Sequence, residues 1–372
     1  MLDPHGDLCE DVLARIPSHR ADDVILLDPS DDEFPIGLNI MHSDDESDRD
    51  RIATDFIGML IRMYDPHNYA IVGPIFQQTV RNAMLAVMSM PGGTLVDVYR
   101  LVSDQTGDYV KKVLPHIKDP IIRNYYETIY EQMKGASSQW KAEYLPYILS
   151  KFSRFVEDAT LRRMIGQGRS GLPFDQIMDE GKILLVNLAK GRIGEQNAHF
   201  IGSLVLTGVM QAAFKRGAMP LNRRRDFMIY IDEVQNFATP TLATMLSEGR
   251  KFGVVLTIAN QYLHQLNPQI LEAVFGNIGS IIAFRLGIQD AGALGMEFYP
   301  AFMQQELSGL PQFTAAVKLL IDGVAARPFT MRTLPTMIPP DKARVAAIRD
   351  ASRRLYGTPV QQVDQEIAAR FA

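Results

Sequence analysis

The sequence has 372 residues, is 47 % hydrophobic and carries a formal net charge of -5. A chain of this length and apolarity buries a large core and has room for more than one domain. Its balance excludes a global basic field, so any nucleic-acid contact must be a local patch. One cysteine, Cys9, excludes an internal disulfide framework and fits a reducing compartment. The seven histidines are scattered and no Cys-x-x-Cys pair occurs, which argues against structural zinc. There is no secretory signal at the start and no apolar run of bilayer length.

In chain order, Leu2 leads into the turn Asp3-Pro4-His5-Gly6-Asp7 and an amphipathic helix over 8–16. A strand follows at Val24 to Leu27 and leaves at Asp28-Pro29. Two strands joined by one short helix imply parallel pairing. From 47 to 172 the texture changes to apolar residues at i, i+3 and i+4, punctuated by Gly73-Pro74, Pro91-Gly92-Gly93, Pro115 and Pro120, which reads as an all-helical insertion. The α/β texture returns with a strand at Ile183 to Val186, a long helix from about His199 to Arg216, and the apolar runs "DFMIYIDE", "GVVLTIAN", "GSIIAFRL" and "TAAVKLLID". A largely parallel sheet covered on both faces is the economical reading. Polar helices make up the tail from Pro339. The divisions expected are thus 1–46, 47–172, 173–338 and 339–372.

The strongest chemical signal is "FMIYIDEVQNF". A buried strand from Met228 to Ile231 delivers Asp232 and Glu233 to the carboxyl edge of a sheet, where P-loop NTPases keep Mg²⁺ and phosphates (the Walker B arrangement). There Asp232 would hold Mg²⁺ through water and Glu233 would polarise the attacking water; two solvated acids at a strand exit are the plain alternative. Thr239-Pro240 starts the next helix and Gly253 stops it, with Arg250 in its last turn. Arg250 reads either as compensation of the helix dipole or as an arginine finger reaching a neighbouring subunit's nucleotide. Gln261 falls just past the strand "GVVLTIAN", where an amide can bond a γ-phosphate or a water, or simply open the next helix. Acid pair, Arg and Gln are expected on one edge of one sheet.

The stretches "LDPHGDL", "DDVILLDPSD", "LLVNLAKGRIG", "YIDEVQNFAT", "LSEGRKFGVVLTIANQY" and "FGNIGSIIAFRLG" together resemble the HerA/FtsK superfamily of ring ATPases, and most closely its TraG/TraD-type branch, the DNA-transfer coupling proteins of conjugation and type IV secretion. The resemblance spans nearly the whole chain. It implies a RecA-like P-loop NTPase core with an all-α insertion, a homo-hexamer that hydrolyses ATP with Mg²⁺, DNA in the ring pore, and secretion-channel and relaxosome proteins as partners at the cytoplasmic face of the membrane. On that pattern Asp232 and Glu233 match Walker B, Arg250 the finger and Gln261 the sensing glutamine. Asp3 and His5 match an acid-bearing strand exit near the nucleotide.

One departure is plain. A phosphate cradle needs Gly-x-x-x-x-Gly-Lys-[Ser/Thr], and the sequence lacks it; Gly166-Gln167-Gly168-Arg169 has no Lys-Ser/Thr, and Gly181-Lys182 enters a strand. In the family that cradle precedes the "DPHGD" strand. The expectation is therefore a fragment or misplaced start, with any membrane helices in a segment outside this sequence, or else a degenerate, non-catalytic ring or adaptor subunit; a HerA-like DNA-processing or channel-assembly ATPase is the rival motor. As it stands the chain should hydrolyse ATP poorly or not at all.

Basic residues are modestly clustered. Arg223 to Arg225, Arg162, Arg163 and Arg169, and Arg353 and Arg354 read as solvated faces before DNA contacts. Lys190 and Arg192, at a strand's carboxyl end, can serve a pore loop or the nucleotide edge. Tyr125, Tyr126 and Tyr130 can stack bases, with helix packing the plainer reading.

Overall fold

The computed structural model describes residues 1–41, 46–65, 72–129 and 143–371. Its centre is a five-stranded parallel sheet of β1 (Leu2–Asp3), β2 (Val24–Leu27), β3 (Ile183–Asn187), β4 (Phe227–Ile231) and β5 (Val254–Ile258), in the order β2-β3-β1-β4-β5. β1 and β2 are parallel, as the β-α-β reading requires, but do not pair. β3 lies between them, with Leu27 level with Val186 on one side and Leu2 level with Val186 on the other. A local pattern fixes strand direction and says nothing of a partner that arrives 150 residues later.

The runs "GSIIAFRL" and "TAAVKLLID" depart from expectation. They form β6 (Ile281–Ala283) and β7 (Thr314–Lys318) of a separate antiparallel sheet, completed by β10 (Phe329–Arg332) in the order β10-β7-β6, after a small hairpin of β8 (Leu320–Ile321) and β9 (Val324–Ala325).

The regular elements described between 46 and 165 are all helices, as read from the period of their apolar positions. One continuous core runs from Ile25, Leu184, Val186 and Ile229 in the sheet, through the long helix Glu195–Lys215, to Phe56, Phe76, Phe152 and Ile148 of the helical segment. Phe155 stacks on Phe200 at 3.9 Å and 11°, and Phe56 bridges Phe152 and Phe200. The long helix is buried on nearly every side, so its sequence reads as apolar all round. Tyr125 and Tyr126 are buried as a T-shaped pair, so the packing reading holds; Tyr130 lies outside the described residues.

The tail folds back onto the start. Helix Lys342–Tyr356 lies along β2, where Ser352 Oγ accepts from the amide of Leu26 at 2.9 Å and satisfies an edge that would otherwise be open. Arg349 pairs with Glu10 and Asp28, and Arg353 with Asp31. Helix Val360–Phe371 docks on the helical segment through Arg370, whose guanidinium meets the buried Asp97 at 2.5 Å.

Candidate nucleotide-edge site

The carboxyl ends of β1, β3, β4 and β5 are laced into one rim by backbone bonds that continue the ladder past the strands. Leu188 N donates to Asp3 O at 2.9 Å, and Lys190 N to Pro4 O at 2.8 Å. Asp232 N donates to Leu2 O at 3.0 Å, Ala259 N to Ile231 O at 2.9 Å, and Val234 N to Ala259 O at 2.9 Å. Each exit then breaks sharply. Gly6 turns at φ +93°, and a Cβ there would lie 2.5 Å from Asn187 Oδ1. Ala189 and Glu233 adopt left-handed φ of 36° and 48° without being glycine, a strain that clusters at functional sites.

Glu233 is the centre of the arrangement. Gln261 Nε2 donates to its Oε1 at 2.6 Å, and Gln235 Nε2 donates to its Oε2. Asn236 Nδ2 holds the Glu233 carbonyl at 3.0 Å. The turn is anchored from below by Phe237, fully buried against the long helix where a Cβ on Gly202 would meet its ring at 2.2 Å. Gln235 was not among the residues singled out from the sequence. Its only sequence signal is its place two residues beyond the acid on the turn.

Asp232 stands beside Glu233, and its carboxyl is held above the ordinary carboxylate range, first by burial and then by the negative charges of Glu233 and Asp3, partly offset by the Glu233 amide and His5. A carboxylate crowded by like charge suits a divalent cation. Among the described residues no group of three or more His, Cys, Asp or Glu could hold a metal by itself. Asp232 could therefore offer a cation a single carboxylate, with the rest of the shell left to water or phosphate, as Mg²⁺ accepts.

Asp3 is turned into the fold. It is fully buried, and its two oxygens accept from the amides of His5 at 2.9 Å and Cys9 at 2.8 Å. It therefore holds the turn and the helix Asp7–Leu13, leaving exposed His5 as the group of that exit turned to solvent. Lys190, half-buried, and Arg192, exposed, lie on the same rim beyond β3.

Arg250 is not on this rim. The helix Pro240–Glu248 runs back across the sheet, and Arg250 sits in the turn just before β5. Gly253 O accepts from Phe227 N at 2.8 Å there, which fixes the turn at the amino end of β4. At roughly 3.3 Å per strand residue, Arg250 and Glu233 of one chain are about 16 Å apart along the sheet. A helix between parallel strands must return its chain to the opposite edge, so spacing in sequence placed the two groups together only on paper. Arg250 is exposed and has no ion-pair partner among the described residues.

Most of the other basic clusters are spent within the fold. Arg224 and Arg225 donate to backbone carbonyls of Met219 and Glu180, Arg163 pairs with Asp364 at 2.8 Å, and Arg353 with Asp31 at 2.6 Å. A cleft of about 420 Å³ lined by Asn39, Arg169, Gln211 and Lys215 lies away from the acids, at the entry and return of the helical segment.

The fold is of the RecA-like α/β class, with a helical insertion. Among solved proteins it is similar to that of the conjugative coupling protein TrwB. The bacterial coupling protein TrwBdeltaN70 in its unbound form matches with a TM-score of 0.62 at 14 % identity, covering 92 % of this chain and 80 % of that one. Plasmid coupling protein TrwB in complex with a non-hydrolysable ATP analogue gives 0.63 at 14 % identity, and in complex with ADP and Mg²⁺ 0.58 at 13 %, with the same coverages. No protein-family model matches the sequence, and no curated protein does.

Proposed function

We propose that this chain is the motor portion of an ATP-driven DNA translocase of the coupling-protein type, working with Mg²⁺ in type IV secretion or conjugation. The observation that carries the reading is the Asp232–Glu233 pair at the exit of β4, with Gln261 from the exit of β5 bonded to Glu233 at 2.6 Å. Asp232 would hold the metal. Glu233, its two oxygens oriented by Gln235 and Gln261, would take a proton from water once an amide yields its place. Lys190 and Arg192 border the same rim and offer positive charge to phosphates or a DNA strand, and His5 offers a ring nitrogen beside them.

The proposed assembly is a homo-hexamer. Arg250, exposed at the far edge of the sheet, would serve only the nucleotide of an adjoining copy, since its own site is out of reach. DNA, sister subunits, the secretion channel and relaxosome proteins are the proposed partners, at the cytoplasmic face of the membrane. No described helix is long and apolar enough to cross a membrane.

The sequence contains no Gly-x-x-x-x-Gly-Lys-[Ser/Thr] cradle, so these residues should bind nucleotide weakly and turn it over poorly or not at all. That same lack favours a second reading, a non-catalytic ring or adaptor subunit. Electron paramagnetic resonance of Mn²⁺ with ATP tests the nucleotide reading directly. A bound Mn²⁺ signal that weakens about tenfold or more in Asp232→Asn is expected. No ATP-dependent Mn²⁺ binding, or binding indifferent to Asp232, would overturn it. Sustained ATP turnover by the chain, lost in Glu233→Gln, would overturn the expectation of poor hydrolysis.

A further inference from the structure

The cleft of about 420 Å³ lies where the chain enters and leaves the helical segment, between Asn39-Ile40, the return stretch 168–176 and the last turns of the long helix. Its walls are pinned to one another. Asn39 Nδ2 donates to the carbonyls of Gly93 at 3.0 Å and Gly168 at 3.1 Å, and Gly171 N donates to Gly37 O at 2.8 Å. Gly208 lets the Phe174 ring close on the helix, since a Cβ there would lie 2.2 Å from it. The volume is that of a small-molecule pocket, and the walls need no ligand to form. Positions 208, 211, 212 and 215 follow helical spacing, so one face of the long helix looks into the cleft and brings Gln211 and Lys215 with it.

The polar lining is unfinished. Gln211 Nε2 is buried and has no hydrogen-bond partner among the described residues, a state that proteins seldom leave without a reason. Arg162 donates to the carbonyls of Val156 and Glu157, and Arg163 pairs with Asp364. Arg169, a few residues on, is exposed, and no group among the described residues bonds its guanidinium. Lys215 is only loosely paired with Asp175, at 3.6 Å. Two cations, Arg169 and Lys215, against the one carboxylate of Asp175 leave the cleft with a single uncompensated positive charge, beside apolar walls of Ile40, Leu172 and Phe174.

We propose that this cleft binds a small organic monoanion, an apolar acid that carries a carbonyl oxygen beside its carboxylate, as N-acyl amino acids do. The carboxylate takes the planar fork of Arg169, with Lys215 adding charge. The carbonyl accepts from Gln211 Nε2, and the apolar body rests on Leu172 and Phe174. A phosphate monoester brings about two negative charges to a site that can compensate one, so the acid is a carboxylic acid. The cleft shares no residue with the Asp232–Glu233 rim, and the inference stands whether or not that rim binds nucleotide.

The probe is para-fluorohippurate, which has a carboxylate, an amide carbonyl and an aromatic ring, titrated into the full chain and followed by fluorine NMR. Saturable binding is expected, weakened about tenfold or more in Arg169→Gln and in Gln211→Leu. The uncharged para-fluorohippuramide should also bind about tenfold more weakly. Asp175→Asn removes the competing carboxylate and should tighten binding about threefold. Arg169 and Asp175 are exposed, so both variants should keep the parent's urea midpoint, and the gain in Asp175→Asn cannot come from a damaged fold. No saturable binding below about 10 mM, equal affinity for acid and amide, or binding indifferent to Arg169→Gln and Asp175→Asn would overturn the proposal. Phenyl phosphate binding more tightly than the hippurate would overturn the choice of a monoanion.

Discussion

Glu233 is held in a left-handed conformation that its side chain resists. Such strain costs about 1–3 kcal/mol and persists where surroundings insist on it; here Phe237 beneath and the amide of Val234 above do so. Asparagine tolerates this conformation far better than glutamate. Glu233→Asn should therefore stabilise the fold by about 0.5–1 kcal/mol while replacing the proposed base with an amide that cannot take the proton. A rise in melting temperature of about 1–2 °C by calorimetry checks this, and a fall would show that the turn is unstrained. The acid pair and Gln261 were legible from the sequence because strand exits are short-range features. Gln235 was not, since an amide two residues along a turn has no pattern of its own. Asp3 was legible as an acid at a strand exit, but its burial and two amide partners depend on how the turn closes.

Helices and strands were legible through their periods, and the bounds of β2 and of the helix from Thr239 to Gly253 follow the reading closely. What periodicity could not supply was partnership. It could not tell that β3 separates β1 from β2, that β6 and β7 leave the main sheet, or that Arg250 returns to the opposite edge. The helix Glu46–Tyr64 offers a test at this scale. Burial raises the carboxyl of Asp55 to about 6, against the pull of Arg51. Because the folded value exceeds the unfolded one, the protonated form is favoured by folding. The contribution is full below about pH 4 and is lost as pH rises through about 6. Asp55→Asn should consequently be more stable than the parent at pH 7.5, by on the order of 1–2 kcal/mol, with the gap closing by pH 4.5. Urea midpoints at the two pH values decide it; a gap that does not change with pH would rule it out.

At the scale of the molecule, one core joins the sheet to the helical segment. The tail is equally integral. Deleting residues 339–372 removes Ile348 from beneath β2, strands the amide of Leu26, and leaves Asp97 buried without its guanidinium. Breaking a buried pair alone costs about 3–5 kcal/mol, against a usual total of about 5–15 kcal/mol. The truncated chain should lose cooperative melting and scatter light, and Arg370→Met should lower the urea midpoint on its own. A truncated chain that melts like the parent would show the tail to be an appendage.

Because Asp341 N donates to Ala14 O, Arg344 to Ile16 O and Arg349 to Glu10, the opening residues wait for the closing ones. A ribosome releasing this polypeptide in order presents the helix Asp7–Leu13 and then β2 long before the element that shelters them is made. Domains of this size are most prone to aggregate in such half-built states. Stalled or prematurely terminated products should thus be conspicuous substrates for chaperones and proteases, even when they contain every residue of the Asp232–Glu233 rim.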